Sequence, residues 1–259
     1  MLSSERLEIY IRRAAMLGRE VVEAPPFVCL FDPHDPHRFF NYAKPLGPVS
    51  AETNGLTGSL AALRTAFRAR ERMPRFEFIE EFAPELGPAL VASGFSLEAR
   101  YPVLICTPET LRQSPPIPGL TITTLTPDSP AEDLLACIAV QRQGFVEFAG
   151  DPPSQADIDD LRENLVAEGA FLARMAGVPV GAMMFTAPLD GLTELAGGTT
   201  LEAYRRRGIG AAMAAAATAT AFERGVEITL LTAASEYASH VFQRAGFKWY
   251  GTGLAYCEE

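Results

Sequence analysis

The chain has 259 residues, 48% of them hydrophobic and 21% charged, with a formal net charge of −10 at pH 7. That length accommodates two domains of about 110–150 residues, each able to bury a core. The acidic balance argues against nucleic acid as the main partner, because phosphate-dominated binding needs a basic surface, and it mildly favours cationic or neutral small substrates.

The N-terminal stretch "MLSSERLEIYIRRAAMLG" carries charges throughout and lacks the apolar core of a signal peptide. No run reaches the roughly 18 continuous apolar residues of a membrane span. A cytoplasmic protein without membrane partners is therefore expected. Cys29, Cys106, Cys137 and Cys257 are scattered and form no C-x-x-C pair, which indicates neither a disulfide framework nor a zinc site. His34 and His37 lie in the Pro/Asp-rich "DPHDPH". A loop site for a metal could be imagined there, but the expectation is that no metal is bound.

Further along, "NGLTGSLAALRTAFRARERMPRFEF" reads as a glycine-led helix followed by a strand. Its arginines are expected on a solvated face. "PELGPALVASGFSLEARYPVLICTP" then reads as a helix, a Gly-Phe turn and a closing strand. Three prolines and a glycine between Ser114 and Gly119 mark a break. The domain boundary is placed at about residue 116, giving domains 1–116 and 117–259.

Beyond the break, residues 120–125 alternate with β-branched side chains, as in a strand. A helix is expected from Ser129 and Pro130 to Phe145, and a second one is capped by Ser154, with Ile158, Leu161 and Leu165 on one face. "AFLARMAG" and "VPVGAMMFTAPL" form two strands joined through Gly177, and "LTELAGGTTL" forms a third. Its adjacent Gly197 and Gly198 suggest a bulge or a close ligand approach. A long alanine-rich helix, a short buried strand "VEITLLTA", the helix "SEYASHVFQRAGF" closed by Gly246, and an extended "KWYGTGLAYCE" complete the chain.

The two halves echo one another. Gly94-Phe95 and Gly246-Phe247 stand 152 residues apart (246 − 94), and Gly55 and Gly208 precede them at nearly equal distances. One offset matching two elements suggests a duplicated half; the alternative is a coincidence of alternating helix–strand units.

The entrance to the alanine-rich helix carries the chemistry. A strand, then Arg205, Arg206, Arg207, Gly208, Ile209 and Gly210, then a helix, places unpaired first-turn amides and a positive dipole end beside three cations. Glycines let an oxyanion approach those amides, so the stretch reads as a pyrophosphate cradle.

This segment resembles the Gln/Arg-x-x-Gly-x-Gly/Ala acyl-CoA motif of the GCN5-related N-acetyltransferase (GNAT) superfamily, with Arg205, Gly208 and Gly210 in the matching places. The trailing Ser235, Ala238, Val241, Phe242, Gly246 and Phe247 resemble the family's Asn-x-x-Ala-x-x-Leu-Tyr-x-x-x-Gly-Phe helix. The resemblance covers residues 120–259; the first half looks like a degenerate copy. It implies an α+β fold with a mixed sheet, built as two GNAT-like domains in tandem. It also implies acetyl-CoA, or another acyl-CoA, as co-substrate and a small-molecule or peptide amine as acceptor.

Carried over by position, Thr199, Thr200 and Leu201 offer backbone groups to the pantetheine arm. The amides from Arg206 through Ile209 to Ala211 hold the pyrophosphate, with Arg205 and Arg207 at the mouth. Ser235 faces the cofactor arm. The first half has Glu52 and no arginine near Gly55, so no cofactor site is expected there; a structural or acceptor-site role is.

In the family the amine attacks the thioester directly, with a base taking its proton and a tyrosine serving as acid. Phe242 occupies that tyrosine's place and cannot donate a proton. Glu194 is the first candidate base; Glu147, Tyr256 and His240 are weaker ones. A sensor or scaffold that binds acyl-CoA without turnover is the alternative, and a hydroxyl or a protein lysine is a further acceptor class. A homodimer is left open.

Overall fold

In the computed structural model the described residues are 2–49, 56–145, 152–165 and 169–258. They group into two compact units, Met1–Val103 with Tyr250–Glu259, and Leu104–Trp249. The proline-marked boundary expected near 116 lies between the fifth and sixth strands, whereas the compact units divide at 103/104 and again at 249/250.

The first unit opens with helix α1 (Ser4–Met16), started by the Ser3 hydroxyl accepting from the Arg6 amide. Strands β1 (Glu20–Ala24), β2 (Phe27–Phe31) and β3 (Tyr42–Pro45) follow, then α2 (Leu56–Arg68), β4 (Arg75–Ile79), α3 (Leu86–Ala92) and β5 (Ser96–Cys106). β1, β2 and β3 pair antiparallel, while β3 meets β4 in parallel at the single pair Ala43–Phe76. Every residue of β2 is buried, as its run of apolar side chains requires. Edge-to-face contacts join Phe27 to Phe76 and Phe76 to Phe95, with ring centroids 5.0 and 5.4 Å apart.

The neighbour of β4 on its other side is β11 (Lys248–Cys257), antiparallel from Gly253–Ile79 to Cys257–Arg75. The arginines in and just after α2 are not simply solvated. Arg64 bridges Glu258 and the Ser93 carbonyl, and Arg70 pairs with Glu20 over the ring of Phe31.

In the second unit come β6 (Leu120–Leu125), α4 (Ala131–Gly144), α5 (Gln155–Asn164), β7 (Gly169–Met175), β8 (Val178–Phe185), β9 (Leu192–Thr200), α6 (Ile209–Glu223), β10 (Ile228–Thr232) and α7 (Glu236–Arg244). Strands β6 to β9 pair antiparallel in sequence order, and β9 pairs with β10 in parallel. Ser154 closes a capping box with Asp157 at the start of α5. One face of the sheet packs Phe171, Met183, Phe185 and Leu195 against Met213, Ala214 and Ala217 of α6, together with Leu104 and Cys106. The other packs Ala170, Leu172 and Ala182 against Leu134, Cys137 and Val140 of α4 and Ile158 and Leu161 of α5. Alanines dominate the buried residues of α6, so its axis can approach the sheet closely.

The duplication is visible in backbone hydrogen bonds. After α3, Phe95 N–H donates to Leu90 C=O (3.0 Å) and Gly94 N–H to Val91 C=O (3.1 Å); after α7, Phe247 donates to Phe242 (3.3 Å) and Gly246 to Gln243 (3.1 Å). Each set is a Schellman motif around a left-handed glycine, with φ +94° at Gly94 and +100° at Gly246. No helix among the described residues is long and apolar enough to cross a membrane.

Candidate active site

The site begins where β9 loses a neighbour. Its paired register with β10 runs Leu192–Ile228, Thr193–Thr229, Glu194–Leu230 and ends there, although β9 continues to Thr200 and β10 to Thr232. Beyond Glu194 the two strands part. Just past that point β9 is bulged: its register with β8 shifts between Ala182 and Met184, and Gly197 has φ +58°. The expected bulge at Gly197-Gly198 is therefore present, and Gly197 is needed because a side chain rarely adopts that conformation.

Helix α4 holds this bulged stretch. Gln141 Nε2 donates to the Gly197 carbonyl at 3.3 Å. One turn on, Gly144 leaves room for Thr199: a Cβ at Gly144 would lie 2.0 Å from Thr199 Oγ1. Neither Gln141 nor Gly144 stood out in the sequence. The only signal was a glycine in the last turn of a predicted helix, an ordinary terminator.

After β9 the chain makes a 3₁₀ turn, Glu202–Tyr204, and enters the arginine run. Arg205 Nε donates to the Thr200 carbonyl (3.0 Å), and Arg207 donates to the Ala203 carbonyl (3.2 Å) with its guanidinium over the Tyr204 ring. Arg206 and Gly208 both have positive φ, +64° and +83°. A left-handed residue at two alternate positions curls successive amides into the concavity that binds anions. For arginine this conformation is strained by about 1–2 kcal/mol.

Gly208 is the N-cap of α6, and no side chain caps that helix among the described residues. The first-turn amides of Ile209, Gly210 and Ala211 have no acceptor within the helix. All three arginines are exposed, and none pairs with a carboxylate among the described residues. A Cβ at Gly210 would lie 3.2 Å from Val241 of α7, so this glycine also allows close helix packing. An open, uncapped cradle with three uncompensated cations fits a diphosphate.

Helix α7 begins at Ser235, whose Oγ accepts from the Ala238 amide (3.1 Å) and caps it. Its hydroxyl proton stays available to a ligand. Phe242 is half-buried, edge-on to Phe247 at 6.2 Å. His240 is exposed and bonded to Gln243.

Glu194 is half-buried on β9, its backbone tied to Thr186 through both N–H and C=O. Alternation with Leu195, which faces α6, puts it on the α4 side of the sheet. Tyr256 belongs to the first unit, stacked on Phe78, where burial raises its pKa. Glu147, Glu52 and Gly55 lie outside the described residues. His37 and Asp32 spend their side chains on local backbone amides, and no group of three metal-ligating side chains occurs among the described residues.

In the first unit the parallel pair, β3 and β4, touches only once. There the adjoining backbone is occupied from within. Lys44 Nζ donates to the Glu77 carbonyl (3.1 Å) and to Glu8 (3.0 Å), while Glu8 accepts from the Ile79 amide (2.9 Å).

Residues 136–247, which contain the bulged strand, the cradle and α7, match the family model described as "Acetyltransferase (GNAT) family". This segment is thus similar to the GNAT family. No curated protein matches the sequence. Among solved structures, a GCN5-related N-acetyltransferase from Kribbella flavida is 29% identical, with a TM-score of 0.83 over 100% of this chain and 96% of its own. A GCN5-related N-acetyltransferase from Sphaerobacter thermophilus is 15% identical, with a TM-score of 0.67 over 90% of this chain and 80% of its own. A tandem GNAT protein from the clavulanic acid biosynthesis pathway is 12% identical, with a TM-score of 0.62 over 90% and 78%. The fold is thus mixed α+β, with GNAT-like domains in tandem.

Proposed function

We propose that the protein is an acetyl-CoA-dependent N-acetyltransferase whose second unit carries the working site, with a small-molecule or peptide amine as acceptor. The observation that carries this reading is the uncapped, left-handed Gly208 entrance of α6, set after the strand that parts from β10, within a GNAT segment. The thioester supplies the activated acyl group, which the amine attacks directly. Amides 209–211 and the arginines hold the diphosphate by charge and oriented donors. Past Glu194 β9 has no ladder to β10, and the backbone groups there that Gln141 and Arg205 leave open can serve the arm, as a missing strand neighbour does.

Glu194 sits at the last paired position before the gap opens, which suits it to take the ammonium proton. Phe242 supports unassisted departure of the thiolate, and it is also the one observation favouring the alternative of an acyl-CoA sensor without turnover. In the first unit the Glu8–Lys44 pair supports a structural or acceptor-shaping role without a cofactor site of its own.

Calorimetric titration of acetyl-CoA into the full chain tests this, beside an Arg205→Glu/Gly208→Asp variant. Binding of about one equivalent, abolished in the variant, supports the cradle; absence of binding by the unaltered protein sinks the acyltransferase reading. Turnover over an amine panel separates enzyme from sensor.

A further inference from the structure

The proposed reaction needs the β9 edge to keep one shape, and β9 has lost its usual means of keeping it. Past Glu194 no ladder to β10 holds the strand. Its register to β8 is broken by the bulge. A strand that slips out of a bulge by one residue turns every following side chain and amide to the other face. For Gly198, Thr199 and Thr200 that would reverse which groups meet the ligand.

Two residues of one helix oppose that slip. Gln141 bonds the carbonyl of the bulge glycine itself (3.3 Å), and the site is close-fitting, since a Cβ on Gly197 would come within 2.5 Å of Gln141 Nε2. Three residues later on the same helix face, Gly144 seats Thr199. Helix positions i and i+3 thus engage strand positions i and i+2, which fixes position and register together. Both Gln141 and Thr199 are shielded enough for the bond to matter: Thr199 is buried and Gln141 half-buried.

We infer that Gln141 is a positioning residue for the acyl group: by holding the Gly197 carbonyl it locks the bulge that aims the following β9 amides at the thioester. The inference rests on the acyltransferase reading above. It makes the acyl end of the ligand, and not the diphosphate end, sensitive to a side chain on α4.

The test compares acetyl-CoA with CoA on the full chain by calorimetry, for the unaltered protein, Gln141→Met and Gln141→Glu. Methionine keeps length without a donor, and glutamate keeps shape while placing an acceptor against a carbonyl. Acetyl-CoA affinity should fall about five- to tenfold in both variants, as for loss of one or two net hydrogen bonds. CoA affinity should stay within about twofold, because the cradle is untouched.

Equal losses for both ligands would show general loosening of the unit, and unchanged acetyl-CoA affinity would show that the bulge needs no clamp; either overturns the proposal. If a variant fails to fold, Gln141→Asn, which keeps the amide but draws it back by one methylene from the Gly197 carbonyl, must lower acetyl-CoA affinity selectively, and equal or no losses there overturn the proposal as well. Failure of the unaltered protein to bind either ligand would instead sink the acyltransferase reading.

Discussion

Lys44 Nζ lies 3.0 Å from Glu8 Oε1, and their side chains are 3% and 0% exposed. Each charge also answers a backbone group of β4, Glu77 C=O and Ile79 N–H, so the pair stitches α1 and β3 to β4. Removing one partner leaves the other charge buried and alone. Lys44→Met should therefore cost about 3–5 kcal/mol, lowering the melting temperature by about 6–20 °C in a chain of this size. Adding Glu8→Leu should recover only part of that loss, since the two backbone groups of β4 then lack partners. Thermal unfolding of the single and double variants followed by circular dichroism checks both expectations.

The two Schellman glycines should respond unequally to alanine. Gly94 has φ +94°, and a Cβ added there would meet nothing within 4 Å, so Gly94→Ala faces backbone strain alone, about 1–2 kcal/mol. At Gly246 a Cβ would lie 1.9 Å from the Thr110 carbonyl oxygen and 3.0 Å from the Arg112 amide, both backbone atoms that move only with their segment. Gly246→Ala should lose about 1–3 kcal/mol more. Urea midpoints of the two variants, measured side by side, decide it.

Alkaline pH should weaken the fold through buried thiols. Burial pushes Cys29 and Cys137 up to about 12 from an ordinary 9.0, and raises Cys106 too. Between those values the unfolded chain gives up thiol protons that the folded chain keeps, so stability is full below pH 9 and falls as pH rises towards 12. Burial raises Tyr101 and Tyr256 as well, which adds to the same slope. Urea midpoints from pH 8 to 10.5 should fall, and Cys29→Ala/Cys137→Ala should flatten the decline. All four cysteines are buried and none is in a disulfide, so a thiol reagent at pH 8 should label them only after denaturation.

Glu194→Gln should lower kcat by about 10²–10⁴ while acetyl-CoA affinity holds. Phe242→Tyr should leave kcat within about threefold, because a thiolate leaves readily without an acid. A rise beyond tenfold in steady-state assays would show that departure of the thiolate limits turnover.

Local rules read well from this sequence. Ser154 caps α5, Gly177 turns β7 into β8, Gly197 bulges β9 and Gly208 opens α6, because each depends on one residue's conformational freedom or one hydrogen bond to a near neighbour. Gly210 and Ser235 were legible as positions, but their structural contacts were not. One faces Val241 thirty-one residues on, and the other caps its own helix. The clamp by Gln141 was not legible at all, since it spans 56 residues and no periodicity encodes such a meeting. The neighbour of β4 was hidden for the same reason: apolar alternation in β11 says that it pairs, not with which strand.

That last pairing sets a clock. Strand β4 acquires β11 only when residues 253–257 exist, between 174 (253 − 79) and 182 (257 − 75) residues after its own segment. At about 5–20 residues per second the ribosome needs roughly 9–36 s to supply them. Through that interval the nascent first unit carries an open strand edge flanked by Phe76, Phe78 and Ile79, side chains that end up almost wholly buried, so its maturation is bound to the completion of its neighbour's synthesis and to whatever shields that edge meanwhile.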